Sequence, residues 1–239
     1  MPIEIHQIIR SKRKTLALIV KPDGALIVRA PLRISEQAIK EFIEHNREWV
    51  RKKRAELLAV LPPSPRQFLS GETFLYLGKS YPLEIVTDQT EPLLLEESFQ
   101  LAEAARNKSE LVFEHWYREQ ARCILTERVA LYVKQHDFQY DKIRITSART
   151  RWGSCSSTGS LSFSWRLIMA PLEVVDYVIV HELVHTVIHN HSKRFWNKVA
   201  KIMPDYKDRR KWLRANGRRL ILWDQELSNE PIISERGFS

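Results

Sequence analysis

Five residues, His181-Glu182-Leu183-Val184-His185, constrain this chain more than any other stretch. Side chains four apart on a helix stand on one face, one above the other. His181 and His185 can then present two imidazole nitrogens to one metal ion, with Glu182 beside the position of a metal-held water. This is the H-E-x-x-H pattern of zinc-dependent hydrolases. Pro171 suits the start of the helix, and Glu173 and Asp176 put acid near its positive end. Val174, Val175, Val178, Ile179, Leu183, Val187 and Ile188 form a broad apolar face, which predicts a buried helix. Polar groups buried there need partners. A metal supplies them; the alternative is a pair of core histidines bonded to carbonyls.

A hydrolytic zinc site takes three protein ligands and keeps one position open. His191 lies six residues after His185, and His189 lies four after. Asn190 tolerates the left-handed conformation that closes helices, so the helix is expected to end near His189 and His191 to fold back. His189 is the other candidate. The spacing to His191 occurs in metzincins, which carry Gly where this chain has Ile188.

The rest of the chain is read around that helix. Lys14–Ala30 reads as a hairpin turning at Pro22-Asp23-Gly24, and Ser35 caps a helix to about Leu61, stopped by Pro62-Pro63-Ser64-Pro65. Phe74–Val86 reads as a second hairpin turning at Gly78-Lys79, with a further strand or two over Leu93–Leu101. Ser109 caps a long helix to about His136; His115 and His136 are read as ordinary histidines, with nothing fixing them near the motif. Ile143–Ser147 is a strand, Arg149–Ser157 a polar loop, and Leu161–Trp165 a returning strand. Ser192 caps a helix through Ile202, and a basic helix from about Lys207 ends at Gly217, with a last strand over Leu220–Trp223. The expected organisation is a hairpin plus helix over 1–66, a β-rich segment over 67–105, the catalytic domain over 106–223 and a polar tail over 224–239.

Composition sets the cell compartment and the partners. The 239 residues hold two cysteines, Cys123 and Cys155, too few for a disulfide framework, and no apolar run of about 20 residues able to span a membrane. The first residues lack a secretory apolar region. A cytoplasmic protein with no membrane partner is expected. The net charge of +9, concentrated at Lys12-Arg13-Lys14, at Arg51–Arg54 and from Lys207 to Arg219, suits nucleic acid or another polyanion as readily as a solvated basic face.

Taken in order, Arg151-Trp152-Gly153-Ser154-Cys155-Ser156, Trp165-Arg166-Leu167, His181-Glu182-Leu183-Val184-His185 and Asn190-His191-Ser192 with Phe195-Trp196 resemble the YgjP-like metallopeptidase domain. That family is related to the SprT-like and Wss-type zinc proteases. The match is strongest from Arg149 to Trp212; the segment with Arg10–Thr15 and Asp23-Gly24 also resembles the family's start. The resemblance implies an α+β, minimal zincin-like core with His181, His185 and His191 as ligands, Glu182 as catalytic base, and the strand Ser160–Trp165 as an edge bordering the cleft.

The chemistry expected is a zinc-dependent peptidase acting on a peptide or protein, with substrates that lie near nucleic acid suiting the basic surface. In it zinc activates water and polarises a carbonyl while Glu182 moves the proton. Arg149, Arg151 and Tyr206 are candidates for steadying charge in the transition state or contacting substrate. Zinc is the preferred metal for three imidazoles; nickel, cobalt or iron also suit such a site. Two rivals stand beside it. The same machinery could open a nucleotide phosphoanhydride or another small phosphorylated or amide substrate. A nucleic-acid-binding protein with a closed structural zinc would need a fourth ligand, from Cys155 or His189. Trp152, Trp165, Trp196 and Trp212 are weighed as base-stacking surfaces, with Trp196 read as core.

Overall fold

The computed structural model describes residues 4–21, 24–59 and 66–221. The expected turn at Pro22-Asp23, the proline-rich stop and the tail from 224 lie outside them. Two compact units emerge, with their boundary between residues 62 and 63.

In the first unit, β1 (Gln7–Ser11), β2 (Ala17–Val20) and β3 (Leu26–Pro31) form a sheet in the order β1-β3-β2. The hairpin read from alternation is β2–β3; β1, which adds in parallel to β3, was not anticipated. Its side chains are all exposed, so it carries no alternating pattern. The expected single helix is two, α1 (Glu36–His45) and α2 (Arg47–Ala59). Asn46 breaks it: its side-chain amide donates to the Phe42 carbonyl at 2.8 Å, competing with the helical ladder. Ser35 does cap α1, accepting from the Ala38 amide at 3.1 Å. Part of the basic surface here is structural, since Arg54 donates to the carbonyls of Gly24 at 2.8 Å and Glu4 at 3.1 Å.

The second unit holds the H-E-x-x-H helix. Strands β4 (Thr73–Tyr76), β5 (Lys79–Val86), β6 (Leu93–Leu95) and β7 (Phe99–Ala102) make a sheet in the order β4-β5-β7-β6. After a 3-10 turn comes α3 (Ser109–His136), which buries Phe113, Tyr117, Ala121, Leu125 and Val129, one face at four-residue spacing. Ser109 is the first residue of α3 and not its cap; its hydroxyl donates back to the Arg106 carbonyl. The β4–β5 turn sits one residue earlier than expected, at Leu77-Gly78, both with positive φ (46° and 80°). That is a tight hairpin turn, which favours glycine at its second position. The tip then docks: the amides of Leu77 and Gly78 donate to the carbonyls of Ile168 and Met169 at 2.9 and 3.2 Å. A Cβ on Gly78 would come within 2.8 Å of Pro171, where the metal-motif helix starts.

A small mixed sheet follows, made of β8 (Ile143–Thr146), β9 (Gly153–Cys155) and β10 (Leu161–Ser164) in the order β8-β10-β9. This corrects the expectation that Ser160–Trp165 is the edge. Strand β10 is central, parallel to β8 and antiparallel to β9; the edges are β8 and β9, and β9, inside the stretch read as a polar loop, is the one packed against α4. With one glycine and two small polar residues, β9 has no apolar alternation to signal a strand.

Helix α4 (Leu172–His185) carries the motif, followed by α5 (Lys193–Ile202) and α6 (Tyr206–Ile221). Every residue from Val174 to Val184 is buried, so α4 is covered on all sides. Its buried Asp176 is held by Arg128 of α3 through two parallel contacts of 2.7 and 2.6 Å. Arg128→Ala would leave that carboxylate buried without its partner, at a cost of about 3 kcal/mol. We expect a lower denaturant midpoint; an unchanged midpoint would mean that water replaces the guanidinium at no cost. Gly217 does not end the last helix, and Leu220 and Ile221 are helical, not a strand. Gly217 serves a close approach instead: a Cβ there would lie 3.0 Å from the buried ring of Trp152.

Candidate metal centre

Residues His181 and His185 come together because α4 holds them four apart. The helix ends at His185, four residues earlier than expected, and Asn190 is not left-handed. The chain turns instead on the buried Ile188, whose amide donates to the Val184 carbonyl at 2.9 Å. The Asn190 side chain then accepts from the Ser192 amide at 3.3 Å, at the N-terminal boundary of α5. This return brings back His191. The three Nε2 atoms lie 3.2 Å (His181–His185), 3.2 Å (His185–His191) and 3.0 Å (His181–His191) apart. His189 is exposed and is not in the cluster.

Three ring nitrogens at such distances share no room for three protons. Burial, first, and the neighbouring rings hold the pKa of His181 well below its usual value, and burial lowers His185 and His191 too. Nδ1 of His185 faces the Ile188 carbonyl at 3.0 Å, so the proton sits on Nδ1 and Nε2 presents its lone pair. A tetrahedral metal with nitrogen ligands at about 2.0–2.1 Å holds those nitrogens about 3.3 Å apart. The donor set therefore fits one metal ion. Among the described residues no fourth His, Cys, Asp or Glu donor joins the cluster.

The rings rest on aromatic supports. Phe195 of α5 meets all three imidazoles, at centroid distances of 4.9, 4.5 and 4.8 Å. His191 stacks on Trp196, Trp196 stacks on Tyr206, and the Arg210 guanidinium lies 4.6 Å from the Trp196 ring. Trp196, read as core, thus supports the site, and Tyr206 enters as the far end of a stack. Helical spacing from Val199 indicated that Phe195 faces inward, but nothing marked imidazoles as its neighbours. Trp152 and Trp165 are buried, Trp165 against Tyr117 and Arg166, which removes both as surfaces for bases.

Glu182 is 4% exposed and accepts no hydrogen bond from a described residue. Burial pushes its carboxyl up to about 8, against a smaller lowering effect of the Arg151 charge. The backbone of β9 packs directly on it: a Cβ at Gly153 would fall 2.6 Å from Oε1. Only glycine leaves the carboxyl its place, a constraint the sequence reading missed because a glycine in a polar stretch reads first as a turn. Cys155, two residues on, feels the Glu182 charge, and its thiol is pushed up to about 11, mainly by burial. A thiol so protonated is a poor ligand and nucleophile. Arg151 is exposed and Arg149 half-buried. His115 and His136 lie on α3 and are not in the cluster.

The YgjP-like metallopeptidase-domain model matches residues 14–216. The chain belongs to the YgjP-like metallopeptidase family. Its match runs from just before the first hairpin into α6 and takes in the whole histidine cluster. No curated protein matches this YgjP-like chain in sequence. Among solved structures, the crystal structure of the metallopeptidase zymogen of Pyrococcus abyssi abylysin is similar to part of it. The identity is 20%, over 39% of this chain and 96% of that one, with a TM-score of 0.36. The α+β class expected from the sequence is the one observed in this YgjP-like protein, and no helix among its described residues is long and apolar enough to cross a membrane.

Proposed function

We propose that the protein is a zinc-dependent peptidase in which His181, His185 and His191 hold the metal and Glu182 is the general base. One observation carries this reading: three imidazole Nε2 atoms within 3.2 Å of one another, next to a buried carboxyl with no hydrogen-bond donor among the described residues. The pattern has the chemistry of an open hydrolytic site, since a closed structural one would draw in a fourth protein donor. A metal held there supplies Lewis acidity, acidifying water and polarising a carbonyl.

The chain's own residues do the rest. The Ile188 carbonyl fixes the tautomer of His185, and Phe195 limits rotation of all three rings. Glu182 takes a proton from water onto a carboxylate oxygen and returns it to the leaving amine. Its high affinity for a proton while buried suits the receiving role; a cation beside it would lower that affinity and leave it ionised and ready. Arg151, whose charge already acts on Glu182, is the better placed of the two arginines to meet charge on substrate.

Metal content tests the ligand set. Wild type is expected to bind about one zinc per chain. His181→Ala, His185→Ala and His191→Ala are each expected to lose most of it, and His189→Ala to keep it. Full zinc in His191→Ala with loss in His189→Ala would name the other histidine. No zinc in wild type after zinc is supplied would overturn the reading, and wild type should cleave unfolded protein where the metal-free variants do not.

A further inference from the structure

The sheet that presses Gly153 onto Glu182 has a second face. Register puts Arg144, Ser162 and Ser154 in one row across β8, β10 and β9. The adjoining rows contain Leu161 and Phe163, both fully buried, so the Arg144–Ser162–Ser154 row points away from the core. It forms part of a polar groove that reaches Lys142 at one side and Arg151 and Cys155 at the other.

The groove's charges are only partly spoken for. Asp141 accepts from Ser160 at 2.6 Å and pairs with Lys142 at 3.5 Å, and the Arg144 charge acts on it more weakly, without an ion pair. The Arg144 and Arg151 guanidiniums, both exposed, make no hydrogen bond or ion pair among the described residues, nor do the hydroxyls of Ser154 and Ser162. Two planar five-donor forks beside two unengaged hydroxyls suit an oxyanion, which accepts paired N–H bonds. The groove also reaches the centre, because Arg151, Ser154 and Cys155, which line it, surround Gly153, the residue whose backbone packs on Glu182.

Strand β9 sits at the edge of its sheet, with no partner on its outer side among the described residues. An extended peptide laid along that edge alternates its side chains between the two faces. One set then points toward α4 and Glu182, and the next toward the row of Ser154, Ser162 and Arg144. Resting on the peptidase reading above, we propose that this groove is a specificity subsite for an anionic side chain of the peptide substrate, with Arg144 and Arg151 as its recognising residues. The anionic group is a carboxylate or a phosphorylated hydroxyl.

The test uses peptides that differ at one position (Asp or phosphoserine against Asn or Ser) and reads binding and cleavage separately. Binding is measured by fluorescence anisotropy on zinc-loaded Glu182→Gln protein, alone and combined with Arg144→Glu. Arg144 is exposed, so its replacement should leave the fold intact, and Arg144→Lys should retain part of the preference. The acidic or phosphorylated peptide is expected to bind about tenfold tighter than its neutral partner. That preference should shrink with salt and vanish, or invert in favour of the neutral peptide, in Arg144→Glu. Wild-type kcat/KM should follow the same order, with the neutral peptide cleaved equally by wild type and Arg144→Glu. Equal binding of both peptides, or the same preference with Arg144 reversed, would overturn the subsite. So would Arg144-dependent binding of a single-stranded oligonucleotide without peptide discrimination, which would give the groove to nucleic acid. Discrimination in binding with no cleavage of any peptide would uphold the groove and count against the peptidase reading alone.

Discussion

Glu182→Gln is expected to keep its metal and to lose hydrolysis by a factor of about 10²–10⁴, the usual weight of a general base. The amide keeps the shape of the carboxyl and cannot accept a proton from water. Zinc content equal to wild type, measured on the same preparation, separates this from loss of the site; undiminished turnover would remove Glu182 from the mechanism. The same substitution should change stability in the opposite direction. In the metal-free protein the carboxyl titrates at about 8, against an ordinary value of 4.5. The unfolded chain therefore gives up this proton first as pH rises. Its contribution to folding is fully present below about pH 4.5 and drains away up to about pH 8. Glutamine has no proton to lose. Metal-free Glu182→Gln should melt several degrees above metal-free wild type at pH 8, with the gap closing toward pH 4.5. The histidines titrate alike in both proteins, so the difference reports Glu182. A gap that stays constant with pH would contradict the buried, unpaired state of the carboxyl.

Gly153→Ala carries the second large effect. The added methyl would sit 2.6 Å from Oε1 and 2.9 Å from Cδ of Glu182, closer than such atoms approach. Either the carboxyl swings away or β9 lifts off α4. Both misplace the carboxyl proposed as the base while leaving the three histidines on their own helix and turn. Turnover is expected to fall about 100-fold, the scale of an ångström-sized misplacement of a catalytic group, with zinc content retained. Full turnover in Gly153→Ala would mean that the base works from more than one position.

The legible parts of this protein are those in which one local rule acted without a competitor. The pairing of His181 with His185 follows from helical spacing, and α3 follows from an apolar face over 28 residues. The strands β2, β3, β5 and β7 carry enough apolar alternation or length to be seen. Long-range packing decided the rest. Gly217 has the right neighbours to end a helix, yet the helix runs on because Trp152 needs a gap there. Strand β9 holds no apolar residue but cysteine, and it exists because β10 offers it an edge. The aromatic floor under the histidines was visible only as an inward-facing phenylalanine. The order of strands in the small sheet, which assigns the cleft edge to β9 instead of β10, is a property of three segments at once and is written in none of them.

The hairpin tip at Leu77-Gly78 bears on how small this protein could become. Its two amides are bonded to the carbonyls of Ile168 and Met169, and the Leu75 carbonyl accepts from the buried Tyr117 hydroxyl at 2.7 Å. A chain shortened to begin at the long helix would strip partners from all three of those groups and take Phe74 out of the stack with Phe113. The histidines would remain in sequence, but the helix that carries them would lose the hairpin tip packed on Pro171 at its start. Hairpin and motif are therefore one heritable piece: the shortest chain able to keep the centre begins ahead of Thr73, more than a hundred residues before its first imidazole.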